Sequence, residues 1–107
     1  MSYVIRRVYS VKPGSARRVA TALEKQAKAY EAAGQREPTR VYFNGGTLPG
    51  EKDRVYMEWT ADVIESPYRE GNVIPQTATD AGAVVRDLIE GNYIEFYEQI
   101  TPAKYQD

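Results

Sequence analysis

The chain has 107 residues and a mass of 12.1 kDa, with 42% hydrophobic and 27% charged residues and a net charge of −1 at neutral pH. A chain this short is one domain, residues 1–107, whose modest core leaves room for help from a partner; its balanced charge argues against the clustered Lys and Arg of a nucleic-acid or anionic-membrane surface. It contains neither Cys nor His, which removes disulfides, thiolate nucleophiles, imidazole bases and the usual zinc and haem ligands, so neither metal nor cofactor is expected. No apolar run approaches the roughly 20 residues of a membrane span and no signal-peptide pattern follows Met1, so a cytoplasmic protein with no membrane partner is expected.

Tyr3 to Val11 (YVIRRVYSV) is β-branched and aromatic, is bounded by Lys12-Pro13-Gly14, and reads as a strand. From Ser15 the period changes: Ala16, Val19, Ala20, Leu23, Ala27 and Tyr30 mark one face of a helix, with Ser15 as N-cap and Gly34 as its stop. Arg40 to Asn44 and Arg54 to Thr60 are two short strands joined by the glycine-rich connection GGTLPGEKD. That connection lacks the lysine and the glycine spacing of a phosphate-binding loop. Ser66-Pro67 opens a short turn of helix (SPYREG) inside a long loop from Glu65 to Thr79. Thr79 or Asp80 caps a second helix with Ala81, Val84, Val85 and Leu88 on its apolar face. Gly91-Asn92 ends it, and Tyr93 to Ile100 alternates as a last strand. The order βαββαβ predicts an α+β, ferredoxin-like domain: a four-stranded antiparallel sheet with two helices on one face.

Strand side chains alternate, so each strand divides into two faces. Val41 and Phe43, then Val55, Met57 and Trp59, then Ile94, Phe96 and Ile100 form an apolar set that should lie under the helices. The opposite set is Arg40, Tyr42 and Asn44, then Tyr56, Glu58 and Thr60, then Tyr93, Glu95 and Tyr97. The first strand is ambiguous, because Arg6 and Arg7 put a charge on each side. Several tyrosines on one open sheet make an amphipathic patch of the kind that becomes an interface, since the ring gains from burial while the hydroxyl keeps a hydrogen bond. A homodimer closed over that face is therefore expected, with Tyr42, Tyr56, Tyr93, Tyr97, Arg7 and Glu58 as the candidate dimer-face residues. Glu58 and Glu95 should form cross-strand ion pairs with Arg7 or Arg40. As catalysts the phenols would need a lowered pKa, which a neighbouring Arg7 or Arg40 could supply.

The segment Arg7-Val8-Tyr9-Ser10-Val11-Lys12-Pro13-Gly14 resembles the R-x-Y-x-[LV]-K-P-G opening of NIPSNAP-type domains. With the βαββαβ order, the whole chain is similar to the dimeric α+β barrel superfamily, which includes NIPSNAP proteins, antibiotic-biosynthesis monooxygenases and stress-responsive barrel proteins. The resemblance implies two sheets closing face to face with the helices outside, and a ligand pocket between a protomer's sheet and its helices. Members that depend on His, such as those binding haem, are excluded by composition. The cofactor-free monooxygenases use Trp, Asn, Tyr and Arg to hold an aromatic substrate, and Asn44, Trp59, Tyr68 and Arg69 are of the same residue types. Tyr68 and Arg69, on the loop turn, would close over a pocket and pair with an anionic substrate.

Three function classes follow. One is a dimeric, cofactor-independent enzyme of monooxygenase type, in which Tyr, Asn or Arg groups stabilise an enolate or phenolate of a small aromatic substrate and the substrate carbanion itself activates O₂. A second is a non-catalytic NIPSNAP-like or stress-related dimer that binds a small apolar or aromatic ligand. RNA binding, suggested by aromatics on a ferredoxin-like sheet, is disfavoured because Arg54 to Trp59 lacks the RNP1 pattern and Glu58 would face phosphates.

Overall fold

The computed structural model describes residues 3–34, 38–63 and 75–106. In chain order the elements are β1 (Tyr3–Val11), α1 (Ala16–Ala32), β2 (Arg40–Asn44), β3 (Arg54–Ala61), α2 (Gln76–Leu88), β4 (Ile89–Glu98) and a 3₁₀ turn (Pro102–Lys104). The strands form one antiparallel sheet in the order β2-β3-β1-β4, with β1 paired on both sides. This is the ferredoxin-like α+β arrangement expected from the element order.

The junction from β1 to α1 shows why the K-P-G sequence stands there. The Ser15 N–H donates to the Lys12 carbonyl at 3.0 Å, and Gly14 sits at φ +80°. Proline at the second position and a left-handed residue at the third are the requirements of a type II turn, and glycine meets the latter without a Cβ penalty. Two more bonds clamp the end of β1: the Val11 N–H donates to the Asp53 carbonyl at 3.1 Å, and the Lys12 N–H to the Leu88 carbonyl at 2.9 Å.

The core lies between α1, α2 and one side of the sheet. Val19, Leu23 and Ala27 of α1 and Ala81 and Val85 of α2 pack with Tyr9, Val11, Val55 and Met57, with Val41 and Trp59 half-buried at its border. Only part of the apolar strand set is covered, however. Phe43, Ile94, Phe96 and Ile100 remain exposed. The reason is lateral: α1 lies against β2 and β3, and α2 packs chiefly on α1, so the helix layer sits towards the β2 edge and leaves β4 open among the described residues.

The second half of the chain departs from its expected boundaries. The second helix begins at Gln76 with Pro75 as N-cap, not at Thr79 or Asp80, and ends at Leu88, before Gly91-Asn92. Proline's fixed φ suits it to a helix entry, and the early start carries Ala78 into a buried position. The strand then begins at once, because Ile89 pairs with Val11 and Gly91 with Ser10 after a register shift between Ser10 and Val11. Pairing along the full length of the central strand outweighs the local turn signal of Gly-Asn, a tertiary override of local preference. The expected SPYREG turn, with Tyr68 and Arg69, lies outside the described residues.

Two substitutions should separate packing from conformation. Leu23→Ala removes a fully buried side chain and should cost about 2–5 kcal/mol in chemical denaturation. Gly14→Ala meets nothing within 4 Å, yet should still cost about 1 kcal/mol because the residue must remain at positive φ; an unchanged denaturation midpoint for Gly14→Ala would show that the turn is not held in that conformation.

Candidate functional site

Register fixes which side chains share the open side of the sheet. Arg6 lies opposite both Glu58 and Glu95, and Glu58 lies opposite Arg40. One cross-strand row therefore reads Arg40–Glu58–Arg6–Glu95, a charge of alternating sign on each of the four strands. The adjacent row pairs Tyr42 with Tyr56, Tyr56 with Val8, and Val8 with Tyr93. Tyr97 lies on the other side of the charge row, opposite Val4.

The two rows are bound to each other. The Arg6 guanidinium stands 4.4 Å from the centroid of the Tyr56 ring, within cation–π range. Tyr56 and Tyr42 stack with centroids 5.1 Å apart and planes 18° from parallel. The Tyr42 hydroxyl donates to Glu58 at 3.1 Å, and Arg40 forms an ion pair with the same carboxylate. On the other side, Arg6 Nε is 3.6 Å from Glu95 Oε1, close enough for attraction but too far for a hydrogen bond. That Nε is buried and has no hydrogen-bond partner among the described residues. Under these groups Val8 is fully buried, while Tyr42, Tyr93 and Tyr97 remain 39%, 55% and 47% exposed.

The first strand's ambiguity is thus resolved in favour of Arg6. Arg7, the expected dimer-face residue, lies opposite Met57 and Ile94 and so belongs to the helix side. Glu58 pairs with Arg40 as expected, and Glu95 with Arg6 in place of Arg7. Arg6 escaped notice because both parities of YVIRRVYSV hold one arginine and several β-branched or aromatic residues. The phase is decided by the register of β1 with both neighbours, which sets Arg6 between Glu58 and Glu95.

Electrostatics bears on chemistry here. Burial first, and then the hydrogen bond and charge of Glu58, push the Tyr42 phenol above its ordinary value; Arg6 and Arg40 oppose this without reversing it. Hydrogen bonding to Glu95 raises Tyr97 in the same direction. The lowered phenol pKa that a catalytic role would need is therefore absent at both rings. They are proton-keeping donors at neutral pH, suited to hold an acceptor and unsuited to act as phenolate bases.

The opposite side of the sheet carries the other candidates. Trp59, Ile5 and Phe96 fall in one register row across β3, β1 and β4, and Met57, Arg7 and Ile94 in the next. Trp59 is half-buried against the core, whereas Phe96 and Ile94 are 45% and 38% exposed. An apolar shelf with one cation, Arg7, thus runs beyond the helix layer. Asn44 stands away from it. Its amide oxygen accepts from the Gly46 N–H at 2.9 Å and its amide nitrogen donates to the carbonyls of Leu48 and Pro49 at 3.0 and 3.4 Å, so it organises the β2–β3 connection. A separate groove of about 440 Å³ opens between α1 and α2, bordered by Arg18, Lys25, Asp80 and Val84; neither Asn44 nor Trp59 reaches it. Among the described residues no cluster of carboxylates could hold a metal ion, and no helix is long and apolar enough to cross a membrane.

Comparison of the whole structure with solved ones gives consistent neighbours. An antibiotic-biosynthesis-monooxygenase-like protein from Chloroflexus aurantiacus J-10-fl superposes with a TM-score of 0.65 at 14% identity, over 94% of this chain and 95% of that one. A NIPSNAP family protein from Agrobacterium tumefaciens str. C58 gives 0.62 at 13% identity, over 91% of each chain. A dimeric protein of ferredoxin-like fold from Bacteroides fragilis NCTC 9343 gives 0.59 at 16%, over 91% of this chain and 96% of that one. The fold shared with these structures is the ferredoxin-like α+β fold. No family model matches the sequence, and no curated protein matches it. What is shared with these structures is the fold that the sequence resemblance implied.

Ultraviolet titration of the phenols tests the electrostatics of the open face. The native state keeps the Tyr42 proton to higher pH than the unfolded chain, so the resulting stability is present below the ordinary phenol value of about 10 and is lost as pH rises above it. Glu58→Gln should bring that titration part of the way back down, because burial, the first cause, remains. A tyrosine titration identical in native and denatured protein would contradict this assignment.

Proposed function

We propose that this chain acts as a homodimer, closed over the tyrosine face, that holds a small aromatic or apolar molecule on the helix side of its sheet. The observation that carries the dimer is the open face itself: stacked, partly exposed tyrosines beside a row of charges. Tyrosine and arginine are the residues enriched where protein surface becomes interface, and a second copy covers that surface without a new kind of partner. The dimeric description of the Bacteroides fragilis neighbour supports the same reading.

The ligand reading rests on the shelf of Trp59, Phe96 and Ile94 with Arg7 among them. Flat apolar groups would stack against such a surface, and a guanidinium at its border favours a molecule that carries an anionic oxygen. Tyr68 and Arg69, assigned by sequence to the same ligand, remain part of this proposal. Catalysis of the cofactor-independent monooxygenase type is the second reading, supported by the fold likeness to the Chloroflexus aurantiacus protein. The raised Tyr42 and Tyr97 phenols favour binding over proton abstraction at those rings, so the non-catalytic ligand-binding dimer is the preferred form.

Two measurements check the proposal. Sedimentation equilibrium at micromolar concentration should give twice the 12.1 kDa chain mass; a purely monomeric species overturns the dimer. Trp59 is the one tryptophan, so its fluorescence should respond to planar aromatic carboxylates and phenols, with affinity reduced about tenfold or more by Arg7→Gln if the anionic oxygen is recognised there. Oxygen consumption in the presence of a bound phenol would promote the enzymatic reading, and binding without it the preferred one.

A further inference from the structure

We propose that the groove between α1 and α2 is a second binding site, which takes a small phosphate monoester and holds its phosphoryl group with Arg18, Lys25 and Thr77. The site is built from the helices alone, apart from both faces of the sheet. It stands whether or not the homodimer and the shelf beside Trp59 do.

The groove arises from how the two helices meet. They approach through small residues: Ala22 and Ala81 are buried, and a Cβ on Gly82 would lie 3.3 Å from the Gln26 side-chain nitrogen. Longer side chains border this seam, Arg18 and Lys25 from α1 and Thr77, Asp80 and Val84 from α2, and a volume of about 440 Å³ lies between them. That volume falls in the range of small-molecule sites. Ala22, Ala81 and Val84 give it an apolar floor.

Accounting for donors and acceptors decides the charge of the ligand. The one carboxylate in the groove is already engaged, since Asp80 Oδ1 accepts from Gln76 Nε2 of its own helix at 2.8 Å. The Thr21 hydroxyl is spent too, donating to the Arg17 carbonyl at 2.8 Å. Elsewhere Arg6, Arg40, Arg54 and Lys28 each stand beside a carboxylate. Arg18, Lys25 and the Thr77 hydroxyl make no ion pair or side-chain hydrogen bond among the described residues. One cavity thus gathers two cations and a hydroxyl donor that the chain itself does not use. A ligand that satisfies them must bring acceptors and negative charge.

Arg18 also stands where its own helix disfavours a cation. α1 begins at Ala16 and has no acidic residue in its first turn, so the guanidinium opposes the positive end of the helix dipole uncompensated. A bound anion reverses the balance, because it meets the helix end and the guanidinium together.

Phosphate fits this donor set better than a carboxylate does. At neutral pH a phosphate monoester carries nearly two negative charges and presents three strong acceptor oxygens, matched here by two cations and three donor groups. Arg18 and Lys25 lie two turns apart on α1, about 10 Å along its axis, and their long side chains can close on one group from either end. Thr77 borders the same space from α2, and the apolar floor receives the organic part of the ester.

Titration of the full-length protein with phenyl phosphate, followed through its backbone amide NMR signals, tests the site. The signals of Thr21, Ala22, Ala81 and Val84 should shift together and saturate. The dissociation constant should be about tenfold below those of inorganic phosphate and benzoate at the same signals. Arg18→Gln and Lys25→Gln should each raise it about tenfold. Arg17→Gln removes the same charge from an adjacent position that does not border the groove and should leave binding unchanged. All three side chains are exposed, so the variants should fold, which their spectra verify directly. Equal losses in the three variants would reduce the effect to net charge and overturn the site. Shifts confined to Trp59 and Phe96 would overturn it while supporting the shelf, and benzoate matching phenyl phosphate in the groove would overturn the choice of phosphate. The absence of any saturable shift overturns the groove site and leaves the dimer and the shelf standing.

Discussion

The arrangement depends on where the central strand places its charge. In a sheet covered by helices on one side only, neighbouring residues of a strand meet different surroundings. Had β1 run in the other phase, Arg6 would lie among Met57 and the α1 side chains, and Tyr9 and Val11 would leave the core for the open side. Instead Arg6 stands on the open side between Glu58 and Glu95, with Tyr56 under its guanidinium. A partly buried guanidinium needs counter-charges at hand, and both carboxylates come from the strands that flank β1. That single placement orders the face: Glu58 draws in Arg40 and the Tyr42 hydroxyl, and Tyr42 stacks on Tyr56.

Arg7 shows the complementary half of the same constraint. It points to the helix side, where a full-length charge would be costly under packed helices, yet it is only half-buried. The helix layer is displaced towards β2 and β3, and the β4 neighbour of Arg7, Ile94, is exposed. A cation therefore sits at the border of an apolar surface, where its stem can lie on hydrocarbon and its head keep water.

Much of this was legible in the sequence, and the rest was not, for physical reasons. The βαββαβ order followed from clear changes of period, and the limits of β1 and β2 followed from K-P-G and from the hairpin glycines. The two faces of β2, β3 and β4 were separable because hydrophobic and polar residues alternate cleanly there. In β1 they do not, and only its pairing with both neighbours decides the phase. The boundaries of α2 and β4 failed for a similar reason: Gly91-Asn92 is a strong local turn signal, but Ser10 and Val11 offer backbone partners that draw the chain into the sheet two residues before it. Asn44, matched by residue type to a ligand-holding role, closes its own hairpin instead. Residue type names a capacity, and local backbone demand can fill it.

The two faces also bear on one another through β3. Along Arg54–Ala61, Tyr56, Glu58 and Thr60 alternate with Val55, Met57 and Trp59, so the strand that carries half of the charge row also carries the tryptophan. Residues on opposite sides of one strand cannot shift independently, because both are fixed to the same pair of backbone ladders, to β1 and to β2. Closing a partner over Glu58 would hold β3 from its open side and thereby narrow the positions available to the Trp59 ring. A domain of this size has little core to immobilise a binding wall by packing alone. Assembly through the opposite face would provide that rigidity while leaving the shelf beside Trp59 free for a ligand.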